Sequence, residues 1–298
     1  TLGIGPGDEV ICPSFTFAST WNVIEYVGAT PIFIDSDRDT WCISPLEIAR
    51  KINKNTKAII SVDIFGNSCD YSSILKIAKI FNIPVIGDCA ESLGTTYMGQ
   101  NVIKYPNIAC TSFNLNKIIT SCGGGAIFSN NKDIEKHARR LINQNKKQND
   151  YDYHGLGFNY RMGSINAALL MPQIKRINTT ILKKREIYNK YINELSSISE
   201  ISFQKDTPGS TSNKWVTVLR FSKKTTRDLV YSDLTSKKIE SKIPFRPANL
   251  VNWISEKYNL NNKDFKESIE IYERCLILPS SSDISDYDIN KVISSIKD

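Results

Sequence analysis

The chain has 298 residues, is 41% hydrophobic and 23% charged, and carries a formal net charge of +7. This composition is typical of a globular protein with one large domain and a smaller one, and no apolar run is long enough to predict a membrane-spanning helix. Basic side chains concentrate at 175–190 and at Lys146 and Lys147 without interleaved aromatics or a recognition motif, which disfavours nucleic-acid binding. They indicate first a solvated helix face and second a mild positive field that attracts anionic substrates.

The cysteines and histidines indicate free thiols rather than a disulfide frame or a metal site. The seven cysteines are scattered and no two form a C-x-x-C pair, which is typical of reduced thiols in a cytoplasmic protein. With only His137 and His154 in the sequence, we expect no histidine-rich metal site. Residues 1–10 contain neither the basic start nor the apolar run of a signal peptide, so we expect a cytoplasmic location.

From residue 8 to about residue 130, short apolar runs alternate with amphipathic helical patterns. The runs predict strands at 9–12, 31–34, 57–62, 84–86, 108–113 and 125–129, and the helical patterns predict helices at 21–26, 45–52, 71–81 and 133–144. Strands separated by such helices predict a mainly parallel sheet. Ligands of such sheets bind beyond the carboxyl ends of the strands, where Asp88 and the residues after Phe113 would lie.

The second half of the chain has a different pattern. Residues 145–160 are polar and aperiodic, which predicts a long functional or mobile loop. A long helix is predicted at 164–195, with a kink at Pro172, followed by a strand near 215–221 and helices near 226–236 and 287–296. We therefore predict a large α/β domain over residues 1–160, and a long connecting helix with a small α+β domain over residues 161–298.

Three polar residues near strand ends carry the chemistry. Lys117 is followed by Gly123, Gly124 and Gly125, which let the backbone approach a ligand closely, and a lysine amine so held can act as a nucleophile. Asp88 is costly to bury without a cationic partner, such as a protonated pyridine nitrogen. Ser112 offers a hydroxyl that can meet a phosphate.

A lysine, a carboxylate and a phosphate-binding hydroxyl are the parts that a pyridoxal-phosphate (PLP) site needs. Each part alone is a weak signal, because glycines near a lysine are more often a turn and an aspartate after a strand is more often a helix N-cap. The combination, in this order along the chain, carries the hypothesis.

The chain resembles the sugar-nucleotide aminotransferases of the DegT/DnrJ/EryC1/StrS group, within the fold-type I PLP enzymes. The resemblance runs nearly from end to end. The matching segments are LGIGPGDEVICPSFTFAST (2–20), YVGATPIFIDSDRDTW (26–41), KAIISVDIFGNSCDYSSIL (57–75), IPVIGDCAESLGTTYMG (83–99), SFNLNKIITSCGGGAI (112–127), GFNYRMGSINAALLMPQIKRI (157–177) and YERCLILPSSSDISDYDINKVI (272–293). It implies a three-layer α/β/α fold with a mainly parallel sheet, and PLP bound by residues 1–160.

The resemblance also implies a role for individual residues. Lys117 would bond to PLP and later act as the general base for the proton shift. Asp88 would pair with the pyridinium nitrogen, Glu91 would lie near the ring hydroxyl, and Ser112 would contact the phosphate. Phe17 would stack on the ring, with an ordinary core phenylalanine as the alternative.

Two further residues would serve the partner subunit and the substrate. Asn159 matches an asparagine that reaches the phosphate of the neighbouring subunit's cofactor, which implies a homodimer with shared active sites. Arg246 could meet a nucleotide diphosphate, and a surface ion pair is an equal alternative.

The implied reaction is a ping-pong transfer of an amino group from glutamate to a keto sugar nucleotide, in surface polysaccharide biosynthesis. Two alternatives keep the fold: a PLP-dependent sugar dehydratase, in which histidine replaces the lysine found here, and a non-catalytic or regulatory protein. A nicotinamide-dependent dehydrogenase is disfavoured because no G-x-G-x-x-G motif follows a strand.

The match departs from the family pattern in three places. Thr1 and Leu2 already match the segment that follows the family's phosphate-binding turn, so we expect that turn before Thr1. Gly87 stands where an acidic residue is frequent, and Asn249 stands where the family usually has a histidine in its substrate segment. The particular sugar is therefore left open.

Overall fold

A computed structural model describes residues 1–147 and 151–297. Its strands are Glu9–Pro13 (β1), Thr30–Ile34 (β2), Thr56–Val62 (β3), Val85–Asp88 (β4), Thr96–Tyr97 (β5), Gln100–Asn101 (β6), Ile108–Ser112 (β7), Gly125–Phe128 (β8), Ile201–Phe203 (β9), Ser210–Thr211 (β10), Thr217–Phe221 (β11) and Cys275–Leu278 (β12). Its α-helices are Ser19–Tyr26 (α1), Pro45–Lys51 (α2), Tyr71–Phe81 (α3), Lys132–Ile142 (α4), Ser164–Leu195 (α5), Lys224–Ser236 (α6), Asn252–Lys257 (α7), Lys266–Arg274 (α8) and Asp286–Lys297 (α9). In these residues no helix combines the length and the apolar character needed to cross a membrane.

The first half of the chain forms a six-stranded sheet in the order β2-β1-β3-β4-β7-β8. The first five strands run parallel, and β8 is antiparallel to β7. The middle strands are nearly continuous apolar runs, with Ile11, Ile59 and Val85 fully buried, as expected for parallel strands that helices cover on both faces. The predicted three-layer α/β fold with a mainly parallel sheet is confirmed.

Local signals place the helix ends. The Ser44 hydroxyl accepts a hydrogen bond from the backbone N–H of Glu47 and caps α2, and Asp70 caps α3 in the same way. The bounds predicted for α3 and α5 are observed without change. Pro172 does not end α5, which runs from Ser164 to Leu195 as one helix.

The second half of the chain builds a smaller antiparallel sheet in the order β12-β11-β9. The C-terminal half of α5 packs with α6, α9 and this sheet around a second core that includes Tyr191, Leu219 and Leu276. Strands β9 and β12 and helices α7 and α8 were not predicted. The reason is that β9 has three residues and β12 follows α8 without a break, so neither shows a clear period.

The two halves are held together by buried polar contacts. The Asp35 carboxylate, directly after β2, accepts hydrogen bonds from the backbone N–H groups of Glu267 and Ser268, at 2.9 and 2.8 Å, at the start of α8. Ile181 of α5 and Trp215 also belong to the core around the large sheet. The division at residues 160 and 161 remains a prediction, because these contacts cross it.

Candidate active site

Lys117 lies in the turn that follows β7, at the carboxyl edge of the parallel strands. Its side chain is 13% exposed, and its Nζ lies 3.6 Å from Oε1 of Glu91. On another side, Nζ lies 4.4 Å from the centre of the Trp215 ring. The amine is thus placed between a carboxylate and an aromatic face, both of which attract a cation.

Glu91 is buried, at 5% exposure, just beyond the end of β4. Its Oε2 accepts a hydrogen bond of 2.7 Å from the backbone N–H of Phe65. Burial raises the pKa of Glu91 to about 7, although the charge of Lys117 and the Phe65 N–H group oppose the rise. Near neutral pH this side chain can therefore either accept or donate a proton.

Asp88 is the last residue of β4, and its carboxylate is held by hydrogen bonds alone. One oxygen accepts from the Thr20 hydroxyl at 2.8 Å and the other from the Ala90 N–H at 3.2 Å. No helix begins at Asp88, so the alternative role of helix N-cap is wrong. In the described part of the chain no lysine or arginine forms an ion pair with Asp88, which leaves the carboxylate free to pair with a cationic ligand.

The glycines after Lys117 are required by close packing. Gly124 has a φ of +89°, and a Cβ there would lie 2.7 Å from Cε of Met162. A Cβ on Gly125 would lie 2.5 Å from the backbone oxygen of Thr111. Side chains at these two positions would therefore collide with their neighbours, whereas a Cβ on Gly123 would meet nothing within 4 Å.

Helix α5 fixes the same turn from the other side. The Gln173 side chain accepts from the Thr120 N–H at 3.0 Å and donates to the Thr120 carbonyl at 2.7 Å. The Asn166 side chain donates to the Ser121 carbonyl at 2.6 Å. Sequence reasoning gave these two side chains no role, because the contacts join residues 53 and 45 positions apart.

Ser112 and Phe17 lie on the surface of the same region. The Ser112 hydroxyl accepts from the Asn114 N–H at 3.3 Å and is half-buried at the end of β7. Phe17 is 57% exposed and meets the ring of Phe245 edge-on, with centres 5.7 Å apart. The alternative of an ordinary core phenylalanine at position 17 is therefore wrong.

Asn159 and Arg246 do not meet Lys117 within this chain. Asn159 is exposed and forms an isolated backbone bridge with Asn143. Arg246 is exposed, with its guanidinium 5.7 Å from the centre of the Tyr272 ring. No ion pair of Arg246 is found in the described residues, so the surface ion pair considered for it is not observed.

Asn249, which replaces the family's histidine, has a structural position. It is 2% exposed, accepts from the Ser14 hydroxyl at 2.8 Å and donates to the Asn262 side chain at 2.9 Å. These bonds fix the 244–250 segment to the residue that follows β1. In this structure Asn249 is therefore a buried anchor and offers no free polar group to a substrate.

A basic groove of about 930 Å³ lies along α4. Its lining comprises Asp133, Lys136, His137, Arg139, Arg140, Ile142, Asn143, Lys146, His154 and Arg161. Neither Lys117, Asp88 nor Glu91 lines it. The lining is mainly basic, so the groove is one place where anions would be attracted.

Metal chemistry has no visible support in residues 1–147 and 151–297. No group of three or more histidine, cysteine, aspartate or glutamate side chains there could hold a metal ion. The seven cysteines are all free thiols, five of them buried.

The donor set around Lys117 fits PLP. A cationic ring nitrogen would provide the partner that the Asp88 carboxylate lacks, and a nucleophilic amine lies near that strand end. A mainly parallel α/β sheet with a lysine at its carboxyl edge defines the class: a PLP-dependent transferase of fold type I.

The chain belongs to the DegT/DnrJ/EryC1/StrS aminotransferase family, which matches residues 1–297. It is 36% identical over 258 residues to the GDP-perosamine synthase of Escherichia coli O157:H7, covering 86% of this chain and 70% of that protein. It is 35% identical over 191 residues to the UDP-2-acetamido-2-deoxy-3-oxo-D-glucuronate aminotransferase of Pseudomonas aeruginosa, covering 64% of this chain and 53% of that protein.

A solved structure gives the same result. The PLP form of a protein from Streptococcus pneumoniae superimposes with a TM-score of 0.92 at 25% identity, covering 99% of this chain and 81% of that one. The protein is therefore a PLP-dependent aminotransferase. The dehydratase and the non-catalytic alternatives are not supported, since the matched family is one of aminotransferases and position 117 is lysine.

Proposed function

We propose that this enzyme transfers an amino group from glutamate to the keto group of a sugar nucleotide, within a pathway of surface polysaccharide synthesis. The observation that carries the proposal is the Lys117 amine 3.6 Å from the buried Glu91 carboxylate, beside the strand end that bears Asp88. The relatives support the substrate class, because one is named for a GDP-linked sugar and another for a UDP-linked 3-oxo sugar.

The side chains at the sheet edge would divide the binding of PLP among them. Asp88, with Thr20 behind it, would hold the proton on the ring nitrogen, and Glu91 would lie at the ring hydroxyl. Ser112 would bind the phosphate, and the exposed face of Phe17 would cover the ring. When bound, PLP supplies an electron-accepting ring that stabilises negative charge on the substrate carbon.

Lys117 would make two contributions of its own. Its amine would bond to the aldehyde carbon of the cofactor with release of water, and in its free form it would carry a proton between the nitrogen-bearing carbon of the substrate and that cofactor carbon. Glu91 can exchange a proton near neutral pH because burial raises its pKa to about 7. The neighbouring carboxylate would thus let the amine return to its neutral, proton-accepting form.

The active unit we propose is a cytoplasmic homodimer. Asn159 does not meet Lys117 in its own chain and lies exposed, which suits a residue that contributes to a partner's site. The free thiols support an assignment to a reducing compartment. Arg246 is exposed next to Phe245 in sequence, and its guanidinium would contact the nucleotide diphosphate of the substrate.

A test of the function starts from the purified protein with PLP. We expect a yellow complex that converts GDP-linked and UDP-linked keto sugars with glutamate as donor, measured by mass spectrometry of the aminated product. Lys117→Ala should lose the colour and lower the turnover on the order of 10³-fold, because both the bond to the cofactor and the proton carrier are removed.

Lys184 provides a matched control. It is another largely buried lysine, whose pKa burial lowers to about 8, but it lies on α5 and donates to the Ser280 carbonyl. Lys184→Gln should keep both colour and turnover. A wild-type protein that stays colourless with PLP, or a Lys117→Ala variant that remains yellow, would contradict the proposal.

A further inference from the structure

Four residues between strands β10 and β11, which we call the 212–215 segment, contact the backbone on both sides of the candidate site. None of these four residues has yet been given a role. Ser212, Asn213 and Trp215 are 3%, 0% and 5% exposed. Because Thr217 begins a strand of the second sheet, this segment joins that sheet directly to the lysine turn.

Asn213 binds the backbone around Glu91. Its side-chain nitrogen donates to the carbonyls of Glu91, at 2.8 Å, and Leu93, at 3.0 Å. Its backbone N–H donates to the Thr95 hydroxyl at 2.9 Å, and its side-chain oxygen accepts from the Trp215 N–H at 2.8 Å. One buried asparagine thus ties the Glu91 backbone to the backbone of Trp215.

Trp215 makes two separate contacts with the lysine turn. Its indole N–H donates to the carbonyl of Asn116, the residue before Lys117, at 2.6 Å. Its ring centre lies 4.4 Å from Nζ of Lys117. The first contact fixes the peptide that carries the lysine, and the second packs the aromatic ring against the amine and restricts where it can lie.

The charged groups that act on this amine are few in the described residues. Glu91 lies at 3.6 Å, and Asp88 acts on Glu91 through its own charge. Lys214, within the segment, is turned to Asp206 at 2.6 Å and to the Tyr188 ring. The indole face of Trp215 is therefore the uncharged group that packs against the Lys117 amine.

We infer that Trp215 is a positioning residue for Lys117, and that the 212–215 segment sets the place of the catalytic amine. The inference rests on the proposed role of Lys117. It assigns to the second sheet a direct part in the chemistry, since movement of β11 would move the indole under the amine.

Two substitutions separate the two contacts. Trp215→Phe keeps an aromatic face and loses the N–H, whereas Trp215→Leu loses both. Trp253→Leu is a matched control, because Trp253 is 49% exposed on α7 and packs against Trp21. Near-ultraviolet circular dichroism reports whether each variant is folded.

The first measurement needs no cofactor. In PLP-free protein, trinitrobenzenesulfonate labels Lys117 at a rate that rises with pH, and peptide mass spectrometry follows that residue alone. At one fixed pH we expect Lys117 of Trp215→Leu to be labelled several-fold faster than in wild type, because the ring no longer packs against the amine. Trp215→Phe and Trp253→Leu should keep the wild-type labelling rate.

The second measurement uses the PLP-loaded enzyme. We expect kcat of Trp215→Phe to fall up to about tenfold with KM unchanged, because the lost hydrogen bond loosens the lysine turn without touching substrate. A folded Trp215→Leu with the wild-type labelling rate of Lys117 would overturn the inference. If that variant does not fold, the Trp215→Phe enzyme decides, and an unchanged kcat overturns it.

Failure of the inference is distinguishable from failure of the proposed function. A wild-type protein that forms no yellow complex contradicts the function. The labelling profile in PLP-free protein would still report whether the Trp215 ring acts on the Lys117 amine.

Discussion

In the pair formed by Glu91 and Lys117, burial affects the pKa of the carboxyl more than the neighbouring positive charge does. Glu91 is buried and accepts one backbone hydrogen bond, yet its pKa lies near 7, because a single cation at 3.6 Å does not offset the loss of water. Asp88, the last residue of β4, accepts hydrogen bonds from two donors and is less buried than Glu91. Two carboxylates close to one amine thus have different surroundings, which suits different tasks.

The pH dependence of stability follows from this burial. A carboxyl whose pKa is raised on folding stabilises the native state below its unfolded pKa of 4.5, and that contribution is lost as the pH rises to about 7. We expect the free energy of unfolding of the PLP-free protein to fall across this window by roughly 3 kcal/mol on account of Glu91. Urea unfolding at several pH values measures it.

Substitution isolates the contribution of this one carboxyl. Glu91→Gln should reduce the fall between pH 4.5 and 7, because the amide does not ionise and can still accept from the Phe65 N–H. Glu256→Gln, at an exposed position, should leave the fall unchanged. Equal pH profiles for wild type and Glu91→Gln would show that Glu91 is not desolvated as described.

At the scale of elements, the turn after β3 is built around the same carboxylate. Phe65 is buried and has a φ of +56°, a region that non-glycine residues rarely adopt, and its N–H binds Glu91. Gly66 follows with a φ of +87°, and its carbonyl accepts from the Ser212 and Thr95 hydroxyls. The positive-φ backbone of Phe65 and Gly66 thus lies where the turn after β3 meets the residues after β4 and the 212–215 segment.

Gly66 and Gly99 both have a positive φ, so substitutions at these two glycines give a controlled test of this packing. A Cβ on Gly66 would overlap Oδ1 of Asn213, whereas a Cβ on Gly99, with a φ of +75°, would meet nothing within 4 Å. We expect Gly99→Ala to cost about 1–2 kcal/mol of unfolding free energy, from the backbone alone. Gly66→Ala should cost at least about 2 kcal/mol more, because Asn213 must move.

Urea unfolding and PLP titration together check this comparison. Gly66→Ala should also bind PLP more weakly, since displacement of Asn213 shifts the backbone of Glu91. Similar stabilities for the two variants would mean that the 212–215 segment is not packed as tightly against this turn as its hydrogen bonds indicate.

At the scale of the whole molecule, α5 carries large apolar side chains that the chain itself does not cover. Ile165 and Leu169 are 79% and 46% exposed and lie one helical turn apart, on the same face. Leu115, in the lysine turn, is 68% exposed. Exposed apolar side chains on one helix face are typical of an interface with another protein, and a second copy of the chain is the partner we propose.

Oligomeric state tests the homodimer. We expect light scattering after size exclusion to give twice the chain mass for wild type, and a monomer for the double variant Ile165→Glu with Leu169→Glu, because the charges could not be buried at an interface. Leu229→Glu is the control, since Leu229 is 72% exposed on α6. A monomeric wild type, or a double variant that remains dimeric, would contradict this interface.

The sequence by itself determined the strands of the large sheet, the long helix α5 and the places of Lys117 and Asp88 at or beyond strand ends. These features are local: an apolar run, a 3.6-residue period, or a lysine before three glycines can be recognised within a few residues. The bounds of α3 and α5 were found without error for that reason. The short strand β9 and the abutting α8 and β12 were missed, because they lack a period of their own.

Only the tertiary structure decided how the site is assembled. Glu91 meets the N–H of a residue 26 positions earlier, and Trp215 meets the carbonyl of one 99 positions earlier. It also exposed Phe17, against the alternative of a core phenylalanine, and buried Asn249. Burial, and with it the pKa of Glu91, depends on what covers a side chain in space, and neighbours in sequence do not determine that.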